Sequence, residues 1–109
     1  AERFEPRVLR DGICSETTLA TCRRMMEGVA DPNGNGTAND VFKKSPYRVA
    51  GKTGTAWIAG PNGYDGRYRA SFAGYFPAEA PKYSCIVVIA DTRSGVYYGS
   101  TIAGPVLLL

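Results

Sequence analysis

Histidine is absent from these 109 residues. The usual general base of neutral-pH catalysis is therefore missing, and any proton transfer within the chain must use lysine, tyrosine or a carboxylate. Apolar runs are short: the longest, Cys85 to Ala90, falls far below the roughly 20 residues of a membrane-spanning helix. No succession of basic, apolar and small residues typical of a signal peptide opens the chain, so nothing in it is expected to target or anchor it. The three cysteines, Cys14, Cys22 and Cys85, are an odd number without a C-x-x-C pair. Neither a disulfide framework nor a zinc site is suggested, and they are expected as small core residues. Charge of one sign is scarce too. The 13 Lys and Arg against 10 Asp and Glu leave a net +3, scattered rather than clustered, which names no nucleic acid or acidic partner.

What is present suits one globular domain spanning residues 1–109, with 44% hydrophobic residues to build a core. In "CSETTLATCRRMMEGVA" the residues Leu19, Cys22, Met26 and Val29 recur at helical spacing, and Met25 widens the stripe. Ser15 is the natural N-cap, and "DPNGNG" ends the helix, which is predicted over Glu16 to Val29. Strands are predicted over Arg48–Ile58, Arg69–Phe76 and Tyr83–Ala90. In the second of these, Tyr68, Ala70, Phe72, Gly74 and Phe76 share one face and Arg67, Arg69, Ser71 and Tyr75 the other, a half-buried pattern. The third is apolar on both sides and calls for cover on both faces; "STIAGPVLLL" is the candidate for the second. The fold class is thus α+β, a helix packed on an antiparallel sheet of three main strands. The lead-in Phe4–Leu9 is a candidate extra edge.

Several motifs fail on inspection. "VAGKTGTA" contains Gly-Lys-Thr, but a phosphate loop needs a glycine five residues before Gly51, where Pro46 stands. No G-x-G-x-x-G opens a helix after a strand. "DPNGNG" copies the start of a calcium loop, yet its twelfth position is Phe42 instead of a bidentate carboxylate. "YDGRYRASFAGYF" lacks the residue order of an RNA-stacking strand, and Phe72 and Phe76 fall on its core face.

Lys52-Thr53-Gly54-Thr55 remains. Period two places Lys52, Gly54 and Ala56 on one face, and a glycine inside a strand costs stability unless something approaches the backbone closely. A substrate along this strand could pair with its backbone, while Lys52 supplies positive charge and Thr55 offers a hydroxyl and an N–H to an anion. The combination suits a peptide ending in a carboxylate. The alternative is a solvated strand lysine with glycines that fit a bulge.

"YRVAGKTGTA", followed by "ASFAGYFPAEAPKYSCIVVI" and then "YYGSTIAGPV", closely resembles the end of the transpeptidase domain of class B penicillin-binding proteins, across nearly the whole chain. The helix and "GNGTAND" resemble the elements that precede the family's K-T-G strand. The ending at Leu107 to Leu109 departs from the family, which continues its C-terminal helix with polar residues, and the chain is expected to be cut short. The resemblance implies a serine enzyme acylated by the D-Ala-D-Ala end of a peptidoglycan stem peptide, which passes the acyl group to an amine on a neighbouring strand. β-Lactams would inhibit it, and neither cofactor nor metal is implied. Lys52, Thr53, Gly54 and Thr55 would line the substrate: Lys52 by its charge, Gly54 by leaving room, Thr55 by its N–H in the oxyanion hole and its hydroxyl on the carboxylate. Thr53 would turn inward.

The family also needs S-x-x-K, where serine attacks and lysine takes its proton, and S-x-N. Three places before Lys43, Lys44, Lys52 and Lys82 stand Asp40, Val41, Val49 and Glu79, so no nucleophile is supplied. Thr37-Ala38-Asn39 lies in the loop before the K-T-G strand and is not counted as the second motif. The chain alone is expected to be inactive, as one wall of a site in the cell envelope, outside the cytoplasmic membrane, with the rest of the transpeptidase domain as its partner. The doubly apolar third strand predicts self-association when that partner is missing. A reading of another class stays open, a non-catalytic peptide- or β-lactam-binding module using the same strand.

Overall fold

Helix α1 (Glu16–Ala30) begins where the sequence supplies a cap, in a computed structural model that describes residues 2–92, 95 and 98–108. The Ser15 hydroxyl accepts the Thr18 N–H at 3.2 Å, satisfying one of the donors that a helix start leaves open. The helix stops at Asp31, whose carboxylate accepts the Asn33 N–H and whose carbonyl accepts the Gly34 N–H, each at 3.0 Å. The polar turn expected of "DPNGNG" is therefore built from local bonds. A single helical turn, α2 (Asn39–Phe42), follows; it is too short to carry a readable period.

Three antiparallel strands come next, β1 (Ala50–Gly60), β2 (Gly63–Phe76) and β3 (Tyr83–Thr92), in spatial order β1-β2-β3. The α+β class and the three-stranded sheet are as the periodicity predicts. The main difference is β2, which starts at Gly63 instead of Arg69. The Gly, Pro, Asn and Asp of "AGPNGYDG" read as one long loop, but a hairpin needs only two turn residues. Pro61 and Asn62 suffice, since Gly60 already pairs with Gly63. Pairing with β3 ends at Tyr68 and Thr92, so the first part of β2 and the end of β1 project beyond the sheet as a two-stranded ribbon.

The core lies on one face of the sheet. Phe72 is fully buried, and its ring occupies a slot made by the cross-strand pair Gly51 and Gly74. A Cβ at position 51 would lie 2.6 Å from both the Ala73 carbonyl oxygen and the Phe72 ring, so glycine is what lets the aromatic ring sit flat on the strands. Ala30 from the end of α1, Ala38, Phe42 from α2 and Val49 close over Phe72, with the two phenylalanine rings 5.3 Å apart.

The C-terminal helix α3 (Gly99–Ile102) and a 3-10 turn (Gly104–Leu108) join this same cluster through Ala103 and Leu107, beside Val87 and Phe76. The expectation that this segment covers the second face of β3 is thereby corrected: it packs on the Phe72 face, with α2 and the C-terminal end of α1. Ile86 and Val88, on the opposite face, are left 67% and 51% exposed. Tyr97 and Leu109, which figure in the C-terminal sequence match, lie outside the described residues.

Three further expectations are corrected. Cys14, Cys22 and Cys85 are all exposed. Cys14 lies in the lead-in, Cys22 in α1 ahead of the C-terminal end that packs on the core, and Cys85 on an edge strand. Met25 is also exposed, because only the C-terminal end of α1 enters the core. The lead-in forms no strand, and Phe4, Val8, Leu9 and Ile13 are exposed. No helix among the described residues is long and apolar enough to cross a membrane.

A candidate substrate edge on the K-T-G strand

β1 is an edge strand, so alternate residues turn their backbone N–H and C=O away from β2. The Thr53 carbonyl is one of these, since it accepts the Lys52 ammonium at 2.9 Å. Alternation puts the Thr55 backbone on the same outer side. The register sets Lys52 opposite Ala73, Gly54 opposite Ser71 and Ala56 opposite Arg69, so the face predicted for Lys52, Gly54 and Ala56 is the face observed.

Lys52 folds back over the edge, with Nζ also 3.4 Å from the Thr53 hydroxyl. Among the described residues it makes no ion pair. An exposed ammonium held by neutral oxygens keeps its positive potential for an incoming anion. Thr53 is half-buried, and its hydroxyl lies 3.2 Å from that of Thr37. Thr37 is the residue that sequence reasoning set aside and the fold brings to the strand; a separation of sixteen positions carries no periodic signal. Its loop is held by Asn39, which donates to the Gly34 carbonyl at 2.7 Å, and by the Ala38 N–H, which donates to the Val29 carbonyl at 2.9 Å.

Gly54 is pressed from both sides by the chain itself. A Cβ there would collide with the Ser71 hydroxyl, while Gly99 at the start of α3 packs against the Gly54 backbone on the other face. Thr55 is exposed at the edge, two residues beyond Thr53. The four motif residues therefore stand together along one edge of the sheet. Lys52 borders a shallow cavity of about 340 Å³ with Met26, Ala73, Tyr75, Ser84 and Ile86. The Tyr75 hydroxyl is buried without a hydrogen-bond partner. A more enclosed cavity of about 310 Å³, between α1 and Ser45–Val49, includes none of the motif.

A charged cluster lies further along the hairpin. Arg67 donates to Asp65 at 2.7 Å and lies 3.9 Å from Asp91, joining the projecting ribbon to the end of β3. The side-chain hydrogen bond from Arg67 holds the Asp65 carboxyl below its ordinary range. Among the described residues no group of three His, Cys, Asp or Glu side chains converges as metal ligands would.

Residues 2–108 match the family described as "Penicillin binding protein transpeptidase domain". The chain is 39% identical over 105 residues to peptidoglycan D,D-transpeptidase FtsI of Escherichia coli K12, covering 95% of this chain and 17% of that protein. It is 36% identical over 94 residues to the probable peptidoglycan D,D-transpeptidase PenA of Neisseria gonorrhoeae, covering 85% of this chain and 16% of that protein. Among solved structures, the transpeptidase domain of Burkholderia pseudomallei penicillin-binding protein 3 superposes with a TM-score of 0.69 at 38% identity, over 86% of this chain and 28% of that one. Pseudomonas aeruginosa PBP2, in complex with WCK 5153, gives 0.63 at 32% identity, over 79% of this chain and 16% of that one.

Proposed function

Since the chain belongs to the penicillin-binding protein transpeptidase family, we propose that it forms the K-T-G wall of a peptidoglycan D,D-transpeptidase site, in the cell envelope outside the cytoplasmic membrane. The observation that carries this reading is the open edge of β1, where Lys52, without a carboxylate partner among the described residues, stands beside Thr53 and Thr55.

The stem peptide lies along this edge and pairs with the outward backbone of Thr53 and Thr55, as a peptide adds to a sheet. Lys52 draws its terminal carboxylate, and the Thr55 hydroxyl binds that carboxylate. A serine oxygen attacks the carbonyl of the penultimate D-alanine, and the Thr55 N–H stabilises the oxyanion that forms. The terminal D-alanine leaves with a proton, and an amine of a neighbouring strand then displaces the serine to form the cross-link. A β-lactam enters the same place and acylates the same serine. The serine, its lysine base and the S-x-N relay come from parts of the domain outside these residues, so the chain by itself does not turn over.

The test uses a fluorescent penicillin and intact-mass analysis. The 109-residue chain alone should gain no covalent adduct. Placed in the Escherichia coli relative in exchange for the matching 105-residue segment, it should restore labelling at that protein's serine. An adduct on the isolated chain would refute its dependence on an external nucleophile. A folded chimera that stays unlabelled would refute the reading as a whole.

A further inference from the structure

Beyond Tyr68 the hairpin leaves the sheet, and on one side of this projecting ribbon the aromatic rings are grouped. Trp57 and Tyr68 stand directly opposite each other, with ring centroids 4.9 Å apart. Tyr64 meets Trp57 edge to face, at 5.5 Å and 74°. Cross-strand packing alone would stabilise the ribbon, but it does not cover these rings: Trp57 is 57% and Tyr64 69% exposed. Together they line an open recess of about 360 Å³. By the period of the strand, Trp57 lies on the same face of β1 as Thr53 and Thr55. It is two residues past Thr55, or roughly 7 Å along the strand.

We infer that Trp57 and Tyr64 form a stacking platform for a neutral sugar ring, and that on the transpeptidase reading of this chain the ring belongs to the glycan strand that carries the stem peptide. The C–H face of a pyranose carries slight positive charge and fits the negative face of an aromatic ring. The Tyr64 hydroxyl and the Trp57 indole N–H add donors for sugar hydroxyls at the rim. The ribbon's only cation is Arg67, which period two turns to the opposite side and which Asp65 and Asp91 already engage. Among the described residues, a nucleic acid or other polyanion stacked on these rings would find no cation on their side of the ribbon to meet its phosphates. An aromatic surface without a cation among the described residues, on the strand of the candidate substrate edge and on the face of Thr53 and Thr55, matches an uncharged carbohydrate. The Arg67 contact with Asp91, at 3.9 Å, links the ribbon to β3 and so favours the platform's position before the sugar arrives.

Trp57 is the single tryptophan of the chain, so its emission reports this place alone. The experiment titrates the 109-residue chain with a β-1,4-linked N-acetylglucosamine tetrasaccharide and, separately, with a stem pentapeptide ending in D-Ala-D-Ala. The tetrasaccharide should shift Trp57 emission to the blue in a saturable manner. Tyr64→Ala should weaken its binding about tenfold, while Tyr64→Phe, which keeps the ring, should retain binding within about threefold. An emission spectrum unchanged at millimolar tetrasaccharide, or one that responds to the pentapeptide alone, overturns the proposal. Binding that survives Tyr64→Ala does so equally. Acylation of the chimera does not pass through these rings, so failure of the sugar titration and failure of the transpeptidase reading are separate results.

Discussion

Gly51 and Lys52 are neighbours with opposite demands on their surroundings. Lys52 needs an open edge so that its ammonium can meet an anion, whereas Gly51 needs close packing, beneath the Phe72 ring. A methyl at position 51 would press on the Ala73 carbonyl and on a fully buried ring, neither of which can swing away. Gly51→Ala should therefore cost about 1–3 kcal/mol, as overpacking does, read as a lower midpoint of urea unfolding; an unchanged midpoint would contradict the packing account. At Gly54 the obstacle on the side-chain face is the Ser71 hydroxyl, which can rotate, so Gly54→Ala should cost less. Of these residue-scale features, the shared face of Lys52 and Gly54 was legible in the sequence because a strand has a fixed period, whereas the close neighbours of Gly54 are the chain's own Ser71 and Gly99. The contact of Thr37 with Thr53 was not, since only the folding of the loop after α1 creates it. The cysteines misled because a small apolar side chain is buried only where the chain has material to cover it, and these three lie at edges.

Among the elements, β2 and β3 show where pattern reading succeeds and where it stops. Alternation placed Ala70, Phe72 and Gly74 on the core side, and all three are buried. Turn composition announced a turn after β1 but not its length, so the ribbon that carries Tyr64 was read as loop. Within the ribbon Arg67 bonds Asp65, two residues away on β2, and because that bond holds the Asp65 carboxyl low, it is complete at neutral pH. It is released only as the pH falls through that lowered value. For β3 the double apolar pattern is real, but the chain covers one face only. Ile86 and Val88 stay exposed on a strand that also has a free edge and, between Tyr83 and Ala90, no charged side chain to block pairing. The isolated chain should accordingly self-associate by light scattering, and Val88→Lys should shift it toward monomer. A monodisperse wild-type monomer with cooperative unfolding would contradict this.

At the scale of the whole molecule, the chain is a sheet with one finished face and one unfinished face. The finished face carries Phe72, α2 and the C-terminal turn. The unfinished face carries Lys52, the shallow cavity beside it and the buried Tyr75 hydroxyl, which lacks a partner among the described residues. The chain spans 17% of the length of its Escherichia coli relative, and the proposed function assigns the missing cover, together with the nucleophile, to the remainder of such a domain. The class of fold and the position of the K-T-G strand could be read from period and turn signals. The one-sidedness of the core could not, because an apolar strand face looks the same in sequence whether its own chain or another segment covers it. The most direct measurement of the central claim is the second-order rate of acylation by penicillin in the chimera, with Lys52 and with Lys52→Ala. If this strand supplies the positive wall of the site, Lys52→Ala should slow acylation by about tenfold or more while the chimera's unfolding midpoint stays in place. An equal rate in both would mean that Lys52 is a solvated strand lysine and that the site draws its charge from elsewhere.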